Sequence, residues 1–130
     1  MFLNGIGVKQ NYPMALKWLR KAADQGNPEA QDNVGWMYET GHGVAQDTDV
    51  GQHWFLRSAN QGYEGGMVHM AESYMAEDNE AEIYFWYSLI ARSNGNYDTY
   101  RDNEAGMITA DQKAAVDARL AEWKPVPERP

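Results

Sequence analysis

The sequence predicts an all-α fold: a short solenoid, or α-α superhelix, of stacked helical hairpins closed by a C-terminal capping helix. Three observations predict it. The chain repeats itself at one fixed period: Gly5-Ile6-Gly7-Val8 returns 36 residues on as Gly41-His42-Gly43-Val44, and the same shift takes Trp18 to Trp54, Ala23 to Ala59 and Gln25-Gly26 to Gln61-Gly62. Between these phrases apolar residues recur at three- and four-residue steps, the period of an amphipathic helix. Near the end, an almost wholly apolar stretch is followed by an amphipathic one suited to cover it. No single unit of a repeat protein has a core of its own, so function belongs to a surface built by stacking.

The first hairpin reads clearly. Residues 1 to 10 match the end of a repeat, since Met1-Phe2 stand where Met37-Tyr38 stand one period later. Either the chain is a fragment of a longer protein, or its first unit leaves an apolar edge through which it self-associates. Asn11 is an N-cap residue, and Tyr12, Ala15, Leu16, Leu19, Ala22 and Ala23 form the apolar stripe of a helix that runs to Gln25. Gly26 suits the left-handed position past a helix end. Asn27-Pro28 opens the second helix, with proline at its first turn, where no N–H is needed. Ala30, Val34, Met37 and Tyr38 give its apolar face, and Gly35 lets a neighbouring helix come close.

Thr40 to Asp47 is the loop to the next unit, with Gly41 and Gly43 supplying backbone freedom and Val44 tucking under the helices. The glycine pair lacks the preceding strand and the following Lys-Ser/Thr of a phosphate loop. Asp47 caps the third helix, whose stripe is Val50, Trp54, Phe55 and Ala59 and which Gly62 ends. The fourth helix starts near Glu64 and carries Met67, Met70, Ala71 and Tyr74. Gly65-Gly66 weaken its start, which is expected to be locally mobile.

The third unit departs from the period. Trp86 arrives four residues early, and the lost residues are those of the Gly-x-Gly-Val loop. Ala81 to Ala91 is apolar nearly all round and must be covered. The cover is expected from the C-terminal segment: an irregular polar helix over 97–104, then a helix opened by the capping box Thr109-x-x-Gln112. Val116, Leu120 and Trp123 follow on one face, with Ala114, Ala118 and Ala121 beside them. Lys124 to Pro130 cannot continue a helix and reads as an exposed extended tail. The organisation is thus one repeat domain over 1–123: a partial unit 1–10, repeats about 11–46 and 47–78, a shortened unit 79–105 and a capping helix 109–123, with the tail 124–130.

The phrase Gly-x-Gly-Val-x-Gln-(Asn/Asp)-x-x-x-Ala-x-x-Trp-x-x-Lys-Ala-Ala-x-Gln-Gly-Asn-x-x-Ala-Gln, as it stands from Gly5 to Gln31, resembles the Sel1-like repeat. That family is a relative of the tetratricopeptide repeat, with similar hairpins and a longer loop. The resemblance is strong over residues 1–44, good over 44–76 and partial over 77–95. Gly51 and Ser58 depart from it where the motif has alanine. It implies a noncatalytic scaffold or adaptor that binds proteins or peptides, often in bacterial envelope, secretion or signalling systems, with members often exported or periplasmic. A cysteine-rich minority of the family is linked to β-lactam binding. That makes a binder or hydrolase of β-lactams or cell-wall fragments the alternative enzyme reading; a third is a fragment completing a longer solenoid.

Composition bounds the partners. The 130 residues carry a net charge of -8 and no cysteine, so nucleic acid and anionic membrane are disfavoured, and disulfides and thiolate metal sites are excluded. No apolar run approaches the roughly 18 residues that span a bilayer. The opening residues have neither a charged leader nor an apolar signal core, and the compartment stays open. His42, His53 and His69 are not at metal-ligating spacing, and Ser58 and Ser73 lack a nucleophile signature. Glu77-Asp78-x-Glu80-x-Glu82 lacks the glycine and spacing of a calcium loop and reads as a solvated turn and helix start. Catalytic residues, metal and cofactor are expected to be none. Met67 and Met70 read as core, and Trp18, Trp54 and Trp86 as a ladder of packing residues with an indole edge left to the groove.

Charge by helix gives the candidate site. The first helices carry Lys17, Arg20, Lys21 and Arg57, and the second helices carry Glu29, Asp32, Glu39, Glu64 and Glu72. Lys17 and Lys21 share a face, and His53 and Arg57 repeat that spacing one period on. In repeat proteins of this type the first helices line the concave face. Lys17, Trp18, Lys21, His53, Trp54 and Arg57 are therefore the expected partner-binding residues, suited to an acidic or carboxylate-bearing segment. A solvated helix face explains the same residues without a ligand.

Overall fold

The computed structural model describes residues 11–128. The partial unit expected over 1–10, with its bare edge, lies outside the described residues. Seven α-helices and one 3-10 turn run in order, with no strand among the described residues: α1 (Tyr12–Asp24), α2 (Pro28–Thr40), α3 (Thr48–Asn60), α4 (Glu64–Met75), α5 (Glu80–Ala91), the turn Gly95–Tyr97, α6 (Asp98–Ala105) and α7 (Ala110–Glu122). None of these helices is long and apolar enough to cross a membrane. The chain packs as two units. One reaches Gly66 and takes in the segment from Val126; the other is Met67–Pro125.

In the first unit the caps form as the sequence indicates. Asn11 accepts from the Met14 N–H, Asn27 from Ala30 and Asp47 from Val50, each satisfying an orphan donor of a helix start. Gly26, Gly41, Gly43 and Gly62 all have positive φ. Helix α2 packs against both α1 and α3. Ala15, Leu19, Ala23, Ala30, Val34, Met37, Phe55 and Ala59 are buried, and a fully buried side chain of the size of Val34, Met37 or Phe55 contributes about 1.5–3 kcal/mol. Helices α2 and α3 meet glycine to glycine. A Cβ on Gly35 would stand 2.7 Å from the Phe55 ring and 2.9 Å from the Gly51 carbonyl oxygen, and one on Gly51 would stand 2.8 Å from the Gly35 carbonyl oxygen. The glycine at position 51, where the repeat motif has alanine, is what lets the backbones approach. Gly65 and Gly66 also fill tight places: a Cβ on Gly66 would lie 2.6 Å from Ser58 Oγ, and one on Gly65 2.8 Å from Asp32 Oδ2. Close approach explains these two glycines.

In the second unit α5 is the buried element, with every residue from Ile83 to Ile90 covered. Helices α6 and α7 both pack on it. Helix α7 begins with the full reciprocal capping box of Thr109 and Gln112. It buries Val116 and Leu120, whereas Ala114, Ala118 and Ala121 are exposed, so the buried stripe is narrower than the sequence reading has it. Polar contacts align the pair: Tyr84 donates to Asp117 at 2.7 Å, Lys113 to Asp117 at 2.9 Å and Arg119 to Glu82 at 2.6 Å, while Arg92 donates to the Leu120 carbonyl. Lys113, and after it Tyr84, hold the Asp117 carboxyl below the ordinary range by hydrogen bonding to its charged form. Met67 and Met70 are buried, as core residues are.

Candidate partner-binding site

The cationic residues lie on α1 and α3, and the helix period brings several of them beside tryptophan. On α1, Lys17, Trp18, Arg20 and Lys21 are exposed. The Lys21 ammonium sits 5.2 Å from the centre of the Trp18 ring. On α3 the Arg57 guanidinium lies 4.6 Å from the Trp54 ring centre, and Arg20 reaches the same ring from α1 at 5.4 Å. Such contacts are worth about 0.5–1 kcal/mol at exposed sites. Arg20 also donates to the Tyr38 hydroxyl at 3.1 Å. Arg20 and Trp54 thus tie α1 to α3; the sequence places Arg20 among the first-helix cations but not among the expected partner-binding residues. Lys17 and His53 stay exposed, without hydrogen bond, ion pair or ring contact among the described residues.

The tryptophan ladder does not repeat evenly. Trp18 is 54% exposed, Trp54 7% and Trp86 3%. Trp18 is therefore available as a contact surface. Trp54, contrary to the expected open edge, is buried in the core cluster with Ala15, Leu19 and Met37, and two guanidinium groups lie over its ring.

Arg57 is already engaged, and here the structure adds what the sequence reading missed. Arg57 donates to both carboxylate oxygens of Glu128, at 2.7 and 3.2 Å, in the paired geometry that suits a guanidinium and a carboxylate. Gln31, fully buried, donates to Glu128 Oε1 at 3.0 Å and to the Ala23 carbonyl at 3.1 Å. Its own oxygen accepts from Gln61 at 2.9 Å. The Gln61 oxygen in turn accepts from the Glu128 backbone N–H at 3.1 Å, and Val126 donates its N–H to the Asn60 carbonyl at 2.8 Å. Gly26 leaves room for this segment, since a Cβ there would stand 2.6 Å from the Glu128 carbonyl oxygen. The Arg57 hydrogen bonds, opposed by burial and aided by Gln31, hold the Glu128 carboxyl below the ordinary glutamate range. The same pairing raises Arg57. Residues 124–127 are exposed, as expected of a tail, but Glu128 is half-buried.

The remaining polar candidates are taken up by structure. Ser58 Oγ, fully buried, donates to the Pro28 carbonyl at 2.8 Å, and Ser73 Oγ to the His69 carbonyl at 2.9 Å. His42 stacks on Trp36 with ring centres 4.6 Å apart and meets Tyr12 edge-on at 4.8 Å. The acidic run is a turn and helix start: Asp78 has φ 51° and Asn79 caps α5. No group of three or more His, Asp or Glu side chains able to hold a metal occurs among the described residues.

Short capped hairpins at a 36-residue period, with glycines where their helices meet, define a helical-repeat protein. The chain matches the family model of the Sel1 repeat over residues 1–27 and again over 28–63; it is a Sel1-like repeat protein. A segment of 56 residues is 43% identical to chitin synthase regulatory factor 3 of Schizosaccharomyces pombe, covering 43% of this chain and 6% of that protein. Among solved structures, a protective antigen present in uropathogenic Escherichia coli strains, with an SLR fold, superposes with a TM-score of 0.80 at 23% identity, over 92% of this chain and 28% of that one. A Sel1 repeat protein from Oxalobacter formigenes gives 0.64 at 28% identity, over 74% and 42%. The chain thus spans less than half of each of these relatives. Proteins of this family generally serve as protein-interaction scaffolds.

Proposed function

We propose that this chain is a noncatalytic scaffold or adaptor that binds an acidic segment of a partner protein on the surface of α1 and α3, taken as the concave face of the solenoid. One observation carries the reading: four cationic side chains, Lys17, Arg20, Lys21 and Arg57, gather with Trp18 and Trp54 on these two helices in a chain of net charge -8. Exposed Lys17, Lys21 and His53 supply donors for carboxylates, and the open Trp18 ring supplies apolar area. The relative named as a regulatory factor is consistent with such a role. Ser58 and Ser73, the serines a hydrolase reading would need, each donate to a backbone carbonyl. The test is binding of an array of acidic peptides to the wild type and to the double variant Lys17→Glu/Lys21→Glu. Exposed charge reversals leave the fold intact, so the expected outcome is a loss of tenfold or more in binding with unchanged helicity. Acidic peptides that bind both proteins alike would move the site off α1.

A further inference from the structure

The segment from Val126 is held in the manner of a bound peptide. Pro125 and Pro127 exclude helix and push Lys124 and Val126 to extended backbone. One backbone N–H of the segment bonds to a carbonyl at the end of α3, another to the Gln61 side chain, and its Glu128 carboxylate enters a site made by Arg57 and Gln31. That site is built rather than incidental. Gln31 is fully buried, and both ends of its amide are committed: the oxygen to Gln61, and the nitrogen to Ala23 and Glu128. Gln61 fixes Gln31 and also reads the backbone beside the glutamate. Arg57 is oriented by its contact with Trp54. Gly26 leaves the space through which the backbone passes.

We infer that Arg57, Gln31 and Gln61 form a receptor for one glutamate of an extended segment, and that Glu128 fills it in cis as an intramolecular competitor. The inference rests on the proposed partner-binding reading in one respect only, that the ligand in trans is a protein segment. A tethered segment acts at an effective concentration of the order of millimolar. A partner strand must outcompete it, so binding through Arg57 is weak until the tail is released, whereas Lys17, Lys21 and Trp18 remain open throughout.

The experiment uses the full chain and, as probe, a labelled peptide of residues 124–130, followed by fluorescence anisotropy. Glu128→Lys sets a cation against Arg57 and expels the tail; Glu128→Gln removes only the charge. The peptide is expected to bind the Glu128→Lys protein at least tenfold more tightly than the wild type, with Glu128→Gln between them. A peptide carrying Gln in place of its Glu is expected to bind the Glu128→Lys protein at least tenfold more weakly, a difference that vanishes when Arg57→Gln is added. Far-UV circular dichroism checks that each variant is folded. Equal binding by wild type and both variants, indifference to the peptide's Glu, or no binding to any protein would each overturn the inference. The proposed α1 and α3 strip, with Lys17, Lys21 and Trp18, is tested separately: Lys17→Glu/Lys21→Glu in the Glu128→Lys background is expected to leave tail-peptide binding within twofold. A larger loss would show that the peptide sits on the strip rather than in the Arg57 receptor.

Discussion

Replacing Gly35 by alanine tests the close approach of α2 and α3. The added Cβ would stand 2.7 Å from two atoms of the Phe55 ring and 2.9 Å from the Gly51 carbonyl oxygen. Carbon atoms in good contact lie about 3.5–4.0 Å apart, so the ring must retreat by about 1 Å. Phe55 is fully buried and has no open side to retreat into, and the carbonyl belongs to the α3 backbone. Overpacking of this kind costs about 1–3 kcal/mol. Against it stands the helix propensity of alanine over glycine, about 0.8–1.0 kcal/mol in a helix interior. Taken at the middle of the overpacking range, the balance is a loss of about 1 kcal/mol, or roughly 4 °C in Tm at about 4 °C per kcal/mol for a chain of this size. Urea unfolding followed by far-UV circular dichroism measures it. Gly106→Ala is the control, since a Cβ there meets nothing nearer than 3.5 Å, and its expected effect is within about 0.5 kcal/mol. Phe55→Leu in the Gly35→Ala background is expected to recover part of the loss, because the two positions share one space. A Gly35→Ala protein as stable as the wild type, or more so, would mean that propensity alone decides and that the helices are not so close.

Two further predictions follow. Thr109→Ala removes one arm of the α7 capping box and is expected to destabilise the second unit by about 1 kcal/mol, read as a lower urea midpoint; Gln112→Ala, which removes the other arm, is expected to act in the same direction. The Glu128 contact is expected to be pH-dependent: its carboxyl is lowered in the folded state, so its contribution is complete above the ordinary glutamate value of about 4.3 and is lost as pH falls through the lower folded value. The Val126 amide resonance is expected to shift in that acid range in the wild type and to stay fixed in Glu128→Gln; a matching shift in both would assign the titration to another group.

What the sequence makes legible follows from which interactions are periodic. The caps at Asn11, Asn27, Asp47 and Thr109, the left-handed glycines after α1, α2 and α3, and the apolar stripes all depend on neighbours within one helix or one period. So did the helices that carry the basic residues. The exposure of Trp18 against the burial of Trp54 and Trp86 breaks the period, because it depends on what lies over each ring. Gly51 is an exception to the motif whose reason is another glycine, Gly35, on the facing helix. Gln31 and Gln61 stood in the repeat phrase, yet their polar side chains gave no sign that Gln31 is fully buried and bonded to Gln61. Glu128 had no sequence signal: it meets Arg57 across 71 positions of chain, and its proline-rich surroundings indicate only that helix is excluded.

In the proposed function, the charge distribution sets how an acidic partner would be recognised. A chain of net charge -8 repels an acidic partner at long range, while the α1 and α3 cations attract it at short range. At physiological ionic strength the screening length is about 8 Å. That is long enough for Lys21 beside Trp18 to act on a docked carboxylate, and too short for the summed negative charge to dominate there. On that reading the strip of α1 and α3 cations would serve specificity in the docked state more than speed of encounter, since steering needs a field that extends beyond the surface. Within the strip the roles divide. Lysines 17 and 21 are hydrated point charges on flexible stems, able to follow a mobile acidic segment. Arg57 is a fixed planar fork whose orientation is set by Trp54 and whose acceptor is a carboxylate held in register by Gln31 and Gln61. On the proposed reading, a partner that presents only scattered acidic charge would engage the lysines. A partner that presents a glutamate on an extended strand would, on the inference above, also displace Glu128, and that second step is where one acidic sequence would be told from another.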